Sequence, residues 1–302
     1  FCSPEAVMTY SSTGIGKMTR TFHNFIRTHI MPPASLQPHP VVLNTWEACY
    51  FNIDEAKLLD FAKEAKKTGF DMLVMDDGWF GARNHDRAGL GDWYENRTKF
   101  PDGLASFVRK VKAEGIQFGI WVEPEMVSED SDLFRAHPEW ILGRREQAVG
   151  RNQYILDLSR EDVQDYLIET LTALFSSADI TYIKWDMNRN MTEHFSAQQT
   201  ACRQRETQHR YMLGLYRVLE EITAAFPEVL FESCSGGGGR FDPGMLYYSP
   251  QIWTSDNTDP IERLTIQFGT SMCYPASTMG AHVSASRRTG YETKMNVALW
   301  GS

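Results

Sequence analysis

The sequence lacks the cysteine arrangements that build disulfide frameworks and structural zinc sites. Its cysteines are odd in number and scattered, and no two of them form a CxxC pair; they are Cys2, Cys49, Cys202, Cys234 and Cys273. Because both kinds of site need paired cysteines at short spacings, neither is expected. Unpaired thiols are typical of a reducing compartment, so we expect a cytoplasmic protein.

Long apolar runs and a secretion signal are also missing. No stretch of about eighteen apolar residues is present to form a membrane-spanning helix, so no membrane partner is expected. The opening "FCSPEAVMTY" has neither the charged start nor the apolar centre of a signal peptide. It has no initiator Met, and the closing "NVALWGS" interrupts a helical pattern. We therefore expect a piece excised from a longer multidomain chain.

Basic clusters and phosphate-binding loops are absent as well. Lys and Arg total 30 against 39 Asp and Glu, a net charge of −9, and no basic stripe occurs. Nucleic-acid binders need such a stripe, so no nucleic-acid partner is expected, and neutral, hydroxyl-rich or cationic ligands are favoured over polyphosphates. The run "SGGGGR" lacks a P-loop lysine and is interpreted as a backbone turn close to a ligand.

What the sequence does contain is an alternation of strand-like and helix-like segments. In "NIDEAKLLDFAKEAKKTGF", Leu58, Phe61, Ala62 and Ala65 share one helical face and Gly69 supplies the stop. Near-continuous apolar strands between such helices indicate parallel pairing with both faces buried. The eight predicted strands are "PVVLNTWEA", "FDMLVMDDGW", "IQFGIWVEPE", "NQYILDLS", "TYIKWDMN", "EVLFESCSGG", "PQIWTSDN" and "STMGAHVS".

Eight such units in about 260 residues predict an α/β protein with a (β/α)8 TIM barrel. A doubly wound open sheet is the alternative, but no GxGxxG follows the first strand. We assign residues 41–302 to the barrel, with its last helix truncated. Residues 1–40 are predicted to form an N-terminal extension, with a helix around Lys17–Ile30 and then the extended, proline-rich connector "MPPASLQPHP".

Polar and charged residues occupy the predicted strand ends, where barrels carry their reactive groups. A single carboxylate at such a position is ordinarily a helix cap or loop ligand, which explains Asp54 and Asp162 well. Convergence from separate strands onto one rim indicates a functional site instead. The strand-end residues are Trp46, Glu47, Asp76, Asp77, Trp121, Glu123, Glu125, Asp157, Lys184, Asp186, Asn188, Glu232, Cys234, Asp256 and His282.

Carboxylates together with tryptophans favour a sugar pocket, because aromatic faces pack on pyranose rings while carboxylates and amides bind hydroxyls. Glycoside hydrolysis needs two carboxyl groups across the scissile bond. Asp186 in "YIKWDMNRN" fits the nucleophile, since Lys184 shares its strand face and favours its ionised form. Asp256 in "IWTSDN" fits the acid partner.

A hard cation such as Mg²⁺ bound by the acidic rim is an alternative. The aromatic or cationic neighbours of these carboxylates suit organic hydroxyls better, and His282 is the only strand-end histidine, which disfavours a zinc hydrolase. No metal or other cofactor is therefore expected. Glu123, Glu125 and Asp157 stay undecided between supporting the site and contacting substrate.

At these residues the sequence resembles the bacterial retaining α-galactosidases of glycoside hydrolase family 36. The resemblance covers about residues 41–302, and "KWDMN" followed by "SDNTDP" is highly specific. The motifs that carry it, in the family's order, are "LVMDDGWFG", "GIWVEPEMV", "RNQYILDLS", "IKWDMNR", "ESCSGGGGRFD" and "WTSDNTDP".

The resemblance implies double displacement, with Asp186 as the nucleophile and Asp256 as the general acid and then base. It implies hydrolysis of α-1,6-linked galactosides such as melibiose and raffinose, in a homo-oligomer such as a tetramer. The residues that it implies for substrate binding are Asp76, Asp77, Arg151, Lys184 and Asn188 for hydroxyls, Trp46 and Trp121 as walls, and Cys234 and Gly236 at the bottom of the pocket.

Several of these residues have a plainer interpretation. Without the resemblance, Arg151 is ordinarily a surface arginine, Cys234 a small buried residue and Trp121 a core residue. Two other functions also stay open. One is a related retaining α-glycosidase or transglycosylase with α-glucosidase or α-N-acetylgalactosaminidase specificity. The other is a sugar-binding barrel without catalysis, which the presence of both Asp186 and Asp256 disfavours.

Overall fold

The computed structural model describes residues 6–32 and 38–301. The chain divides into two compact units. The larger unit is His39–Gly236, and the smaller unit combines Phe1–Pro38 with Gly237–Ser302. Cys2 and the middle of "MPPASLQPHP", residues 33–37, lie outside the described residues.

Parallel strands form the centre of the larger unit. Its strands are β1 (Val42–Asn44), β2 (Met72–Met75), β3 (Gln117–Val122), β4 (Met126–Val127), β5 (Tyr154–Ile155), β6 (Tyr182–Trp185) and β7 (Leu230–Ser233). β1, β2, β3, β6 and β7 pair in that order, each parallel to the next. Every residue of β2 and β6 is buried, as expected for a parallel sheet that is covered on both faces.

The fourth predicted strand does not join this parallel set. Within "NQYILDLS", only β5 is a strand, and it pairs antiparallel with β4. β3 ends at Val122, two residues before Pro124, which has no N–H to donate, and the chain resumes an extended course at β4. The prediction of a parallel fourth strand is therefore wrong for this segment, because β5 pairs antiparallel with β4 and the Ile155 carbonyl accepts from the Leu142 amide at 2.7 Å.

Helices alternate with the strands of the larger unit. They are α2 (Trp46–Cys49), α3 (Glu55–Thr68), α4 (Leu104–Ala113), α5 (Asp132–Ala136), α6 (Glu161–Ser176) and α7 (Thr207–Ala225). α3 follows its sequence signals: the Asp54 side chain accepts a hydrogen bond from the Lys57 amide at 2.8 Å, and Gly69 ends the helix in the left-handed conformation at φ 89°. "PVVLNTWEA" is a strand only at β1, because its second half forms α2.

The smaller unit contains α1 (Ile15–Phe25), α8 (Pro243–Tyr248), β8 (Gln251–Trp253), α9 (Pro260–Ser271), β9 (Met279–Gly280) and α10 (Tyr291–Ala298). β8 and β9 pair in parallel. The predicted helix around Lys17–Ile30 is present as α1, followed by one π-helical turn at Ile26–Ile30. His23 anchors α1, since its Nε2 lies 2.8 Å from the carbonyl oxygen of Ser271.

Within residues 6–32 and 38–301, every helix is too short or too polar to cross a lipid bilayer.

Replacing two helical glycines by alanine should change the stability of the protein in opposite directions. At Gly214 in α7, a Cβ atom would lie 1.9 Å from the Leu158 carbonyl oxygen, whereas at Gly269 in α9 it would meet no atom within 4 Å. G214A should therefore destabilise the protein by about 1–3 kcal/mol or more, because α7 must move away from the Leu158 backbone. G269A should stabilise it by about 0.5–1 kcal/mol, because alanine loses less backbone entropy. Urea unfolding of both variants measures this, and a G214A protein as stable as wild type would contradict the close packing.

Candidate active site

The site of the larger unit is built around the end of β6. Lys184 and Asp186 alternate with Trp185, so the two charged side chains share one side of the strand and the indole takes the other. All three are buried. Behind the strand, the Trp185 Nε1 donates to Glu125 Oε1 at 2.9 Å, and the Tyr211 hydroxyl of α7 donates to Glu125 Oε2 at 2.6 Å. Glu125 therefore supports β6 from its far side.

Three donors fix the carboxylate of Asp186, which is only 5% exposed. Oδ2 accepts from Trp121 Nε1 at 3.1 Å and from Asn188 Nδ2 at 2.7 Å. Oδ1 accepts from the backbone amide of Met187 at 2.8 Å. A carboxylate held by an indole, an amide and the backbone has one orientation, which is the geometric requirement for a nucleophile.

Lys184 forms an ion pair with Asp76, the residue that directly follows β2, and its Nζ lies 2.9 Å from Asp76 Oδ2. Asn44 Nδ2 donates to the same oxygen at 2.7 Å. Burial by itself would lower the pKa of Lys184, but Asp76 and the other acidic groups around it outweigh burial and raise that pKa well above its ordinary value. Lys184 is therefore an ammonium group whose direct acidic partner is Asp76 rather than Asp186.

Asp77 is clamped by Arg83, a buried arginine that the sequence analysis did not single out. The Arg83 Nε donates to Oδ1 at 2.9 Å and Nη2 donates to Oδ2 at 2.8 Å, while Nη1 donates to the Ala88 carbonyl at 3.0 Å. Burial raises the pKa of Asp77, and the Arg83 charge offsets part of that effect. No local signal in "DDGWFGAR" distinguishes Arg83 from a surface arginine.

The predicted wall residues lie in different settings. Trp121 is buried, and its carbonyl accepts a hydrogen bond from Trp79 Nε1 at 2.9 Å. Its indole N–H contacts Asp186, so Trp121 is more than a core residue. Trp46 is half-buried at the start of α2, with its ring packed edge-on against Tyr50 and Phe51.

Asn188 joins two further predicted residues to the site. Arg151 is exposed, and its Nη1 donates to Asn188 Oδ1 at 3.1 Å. The backbone amide of Asn188 donates to Glu123 Oε1 at 2.5 Å, and the same oxygen accepts from Gln153 Nε2 at 2.8 Å. Burial raises the pKa of Glu123 to about 8, and the neighbouring charge of Asp186 adds to the rise.

The end of β7 supplies the remaining residues of the larger unit. Cys234 is buried, and its backbone continues the ladder, donating to the Trp185 carbonyl at 2.8 Å and accepting from Met187 at 3.0 Å. Glu232, opposite Lys184 in the ladder, accepts a hydrogen bond from Tyr182 at 2.5 Å. Gly236 is exposed with φ 54°, a backbone conformation that favours glycine.

Asp157 has a structural role in its loop. Its Oδ1 accepts from the Ser159 hydroxyl at 2.6 Å, and its Oδ2 accepts from the Ser196 hydroxyl at 2.5 Å. The Ser159 bond is local, whereas the Ser196 bond ties the segment after β5 to the loop after β6. Among the described residues, no group of three or more His, Cys, Asp and Glu has a geometry that could hold a metal ion.

In the smaller unit, Asp256 follows β8 and is exposed, and its Oδ1 accepts from Trp253 Nε1 at 3.1 Å. Buried Arg263 braces the loop on either side of it, with bonds to the Ser255 carbonyl at 2.5 Å and the Asn257 carbonyl at 2.9 Å. Burial lowers the pKa of Arg263 to about 10, and Asp256 opposes that change.

Within the smaller unit, Gly237 and Gly238 of the run "SGGGGR" pack against this loop. A Cβ atom at Gly237 would lie 2.8 Å from the Asp256 amide, and one at Gly238 would lie 2.5 Å from the Thr254 carbonyl oxygen. The glycines are therefore needed for a close approach between two backbone segments. Their predicted closeness to a ligand stays a prediction.

The family model described as Melibiase matches residues 1–302. The chain belongs to the melibiase family. It is 54% identical over 311 residues to α-galactosidase AgaA of Geobacillus stearothermophilus, covering 100% of this chain and 43% of that protein. It is 49% identical to α-galactosidase 1 of Pediococcus pentosaceus, covering 98% of this chain and 41% of that protein. The resemblance to glycoside hydrolase family 36 is thereby confirmed.

Solved structures of melibiase-family relatives show the same fold. The crystal structure of AgaA matches with a TM-score of 0.94 and 53% identity over 97% of this chain and 42% of AgaA. The α-galactosidase of Lactobacillus brevis matches with a TM-score of 0.94 and 47% identity over 96% of this chain and 40% of that protein. The predicted (β/α)8 barrel class is confirmed, and this melibiase-family chain spans less than half the length of these relatives.

The buried pair Arg83–Asp77 predicts a large loss of stability when one partner is removed. R83M should destabilise this melibiase-family chain by about 3–5 kcal/mol, because it leaves a carboxylate buried without its cation. The double variant D77N/R83M should recover much of that loss. The matched control is R210M, whose partner Glu206 is on the surface, and it should change stability by about 0.5 kcal/mol or less. Equal losses for R83M and R210M in denaturant unfolding would contradict the pair's importance.

The raised pKa of Glu123 predicts a pH-dependent difference between wild type and E123Q. The unfolded chain releases the Glu123 proton near the ordinary value of 4.5, whereas the folded chain keeps it until about 8. Between those values the native state holds the extra proton, so its stability relative to E123Q should fall as pH rises, by up to about 1.4 kcal/mol per pH unit. Unfolding curves at several pH values measure the difference, and a difference independent of pH would refute the shift.

Proposed function

We propose that this chain is the catalytic barrel of a retaining α-galactosidase, which removes terminal α-1,6-linked galactose from oligosaccharides such as melibiose and raffinose. The observation that carries the proposal is the carboxylate of Asp186, buried at a parallel strand end and oriented by three donors. The relatives named above are α-galactosidases, and AgaA variants have been crystallised with raffinose and with stachyose. Those ligands belong to AgaA, and they support the same substrate class here.

In the proposed reaction, Asp186 attacks the anomeric carbon and displaces the leaving oxygen, forming a β-galactosyl ester. Asp256 gives its proton to that oxygen as the bond breaks. It then takes a proton from water, which attacks the anomeric carbon, releases Asp186 and yields galactose with its original configuration. The fixed orientation of Asp186 supplies the alignment that the first step needs, since misplacement by about 1 Å can cost two orders of magnitude in rate.

Sequence spacing supports the choice of these two aspartates. The AgaA complex with raffinose carries a substituted aspartate, and the AgaA complex with stachyose carries another. The interval between those two positions in AgaA equals the interval between Asp186 and Asp256 in this chain. Substitutions made to keep an intact substrate in a crystal are commonly placed at reacting groups, so the equal spacing favours the assignment.

The surrounding residues are proposed as the galactose site. Lys184 donates and Asp76 accepts, so together they offer complementary partners for neighbouring hydroxyls. The remaining proposed contacts are Asp77, Asn188 and Arg151 for hydroxyls, Trp46 and Trp121 as walls, and Cys234 and Gly236 at the bottom. The mechanism uses carboxyl groups alone, and we propose that activity persists in excess chelator. A cytoplasmic homo-oligomer, such as a tetramer of the full-length protein, is proposed as the working form.

The second candidate is a related retaining α-glycosidase or transglycosylase. It would use the same two aspartates and differ only in the groups that face the sugar 2-OH and 4-OH. Rates on nitrophenyl α-galactoside, α-glucoside and α-N-acetylgalactosaminide separate the candidates. Preference for the galactoside is expected, and preference for either of the others would replace the proposed specificity.

Replacing Asp186 tests the proposed mechanism directly. D186A should lower kcat on nitrophenyl α-galactoside by about 10⁴-fold or more, because no covalent intermediate can form. Added azide should restore turnover and give the β-galactosyl azide, since azide enters from the face that Asp186 occupied. Asp60, an exposed helix residue, provides the control, and D60A should keep wild-type kcat. Intact hydrolysis by D186A, or no rescue by azide, would end the assignment of the nucleophile.

A further inference from the structure

A strained turn lies next to the residues that hold Asp186. Arg151 and Asn152 are consecutive non-glycine residues with φ values of 53° and 60°. The turn is closed by the Gln153 amide, which donates to the Gly150 carbonyl at 3.1 Å. Two left-handed central residues are typical of a type I′ turn, where glycine or asparagine is favoured and arginine is costly. The strained residue Arg151 contacts Asn188, which in turn binds Asp186.

The two side chains that flank Asn152 each contact one member of the hydrogen-bonded pair Asn188 and Glu123. Arg151 donates to the Asn188 side chain at 3.1 Å, and Gln153 donates to Glu123 at 2.8 Å. Gln153 is itself buried, and its carbonyl accepts from Arg189 Nη1 at 3.0 Å. The turn is therefore anchored on both sides, and its geometry sets where Arg151 and Gln153 reach.

Glu123 connects this turn to the carboxylate. One oxygen of Glu123 accepts from Gln153 and also from the backbone amide of Asn188. The Asn188 side chain then donates to Asp186 Oδ2 at 2.7 Å. Contacts thus run from the turn through Glu123 and Asn188 to Asp186, and each step is a hydrogen bond between buried or half-buried groups.

A buried carboxyl group at position 123 costs folding free energy. Glu123 is 1% exposed, no ion pair with Lys or Arg offsets its burial among the described residues, and the charges of Asp77 and Asp186 both oppose its ionisation. Glu123 Oε1 accepts from two donors, the Asn188 backbone amide and the Gln153 side chain. This explains why position 123 carries a side chain with an acceptor oxygen. A leucine of similar size would leave the Asn188 amide without this acceptor.

We propose that Glu123 is a positioning residue, which fixes Asn188 and through it the reactive orientation of Asp186. The inference rests on the proposed function, because it concerns the nucleophile of that reaction. Glu123 itself takes no part in bond making or proton transfer.

Two substitutions of Glu123 in the full-length enzyme test the inference. E123A should lower kcat on nitrophenyl α-galactoside by about 100-fold with KM changed less than about threefold, because the nucleophile is misplaced after substrate has bound. E123Q keeps an oxygen that accepts from both Asn188 and Gln153, so it should return kcat to within about fivefold of wild type. Rates are expressed per folded molecule, with the folded fraction measured by circular dichroism.

Asp92 provides the matched control, since it is also a buried carboxyl group and its two oxygens accept from the backbone amides of Asp132 and Leu133. D92A should lose stability but keep kcat per folded molecule within about threefold. Should E123A fail to fold, Q153A replaces it, and about a fivefold loss of kcat with unchanged KM is expected.

The outcomes separate the two proposals. Wild type that leaves α-galactosides, α-glucosides and α-N-acetylgalactosaminides intact refutes the proposed function and this inference with it. Active wild type with full kcat in E123A, or in Q153A, refutes the positioning role alone. An E123Q enzyme as slow as E123A also overturns it, because the acceptor would then have been restored without effect.

Discussion

Buried carboxyl groups impose the constraint on which the site of the larger unit depends. An ionised carboxylate removed from water costs several kcal/mol unless charge and hydrogen bonds compensate it. The structure compensates each one differently: an ammonium group for Asp76, a guanidinium group for Asp77, neutral donors for Asp186 and a retained proton for Glu123. Burial raises the pKa of Glu123 to about 8, and the neighbouring charge of Asp186 adds to the rise, so Glu123 is the carboxyl group that keeps its proton at neutral pH.

The parallel strands make this arrangement possible. Side chains alternate along β6, so Lys184 and Asp186 face one side while Trp185 binds Glu125 on the other. The register with β3 sets Trp121 opposite Lys184, and the indole N–H of Trp121 then reaches Asp186. Strand pairing therefore brings groups from distant parts of the sequence within hydrogen-bond distance, and the rigid sheet holds them there.

Helix ends were predicted well from the sequence, because caps and stops act between residues that are close in the chain. α3 begins at the Asp54 cap and ends at Gly69 because both effects act within one helical turn. The same reasoning failed for "NQYILDLS", whose apolar pattern suits any buried strand and does not say which neighbour it pairs with. β1 is shorter than predicted for a similar reason, since the helical turn of α2 begins inside an extended-looking segment.

The sequence by itself determined that Lys184 and Asp186 share one side at the end of β6, because side chains alternate along a strand. The family motifs determined the chemistry to expect from them. Only the tertiary structure decided the partners: Lys184 pairs with Asp76, Arg83 clamps Asp77, and Glu123 holds Asn188. These contacts depend on strand register and loop path, and no pattern within one segment encodes the distance between two side chains far apart in the chain.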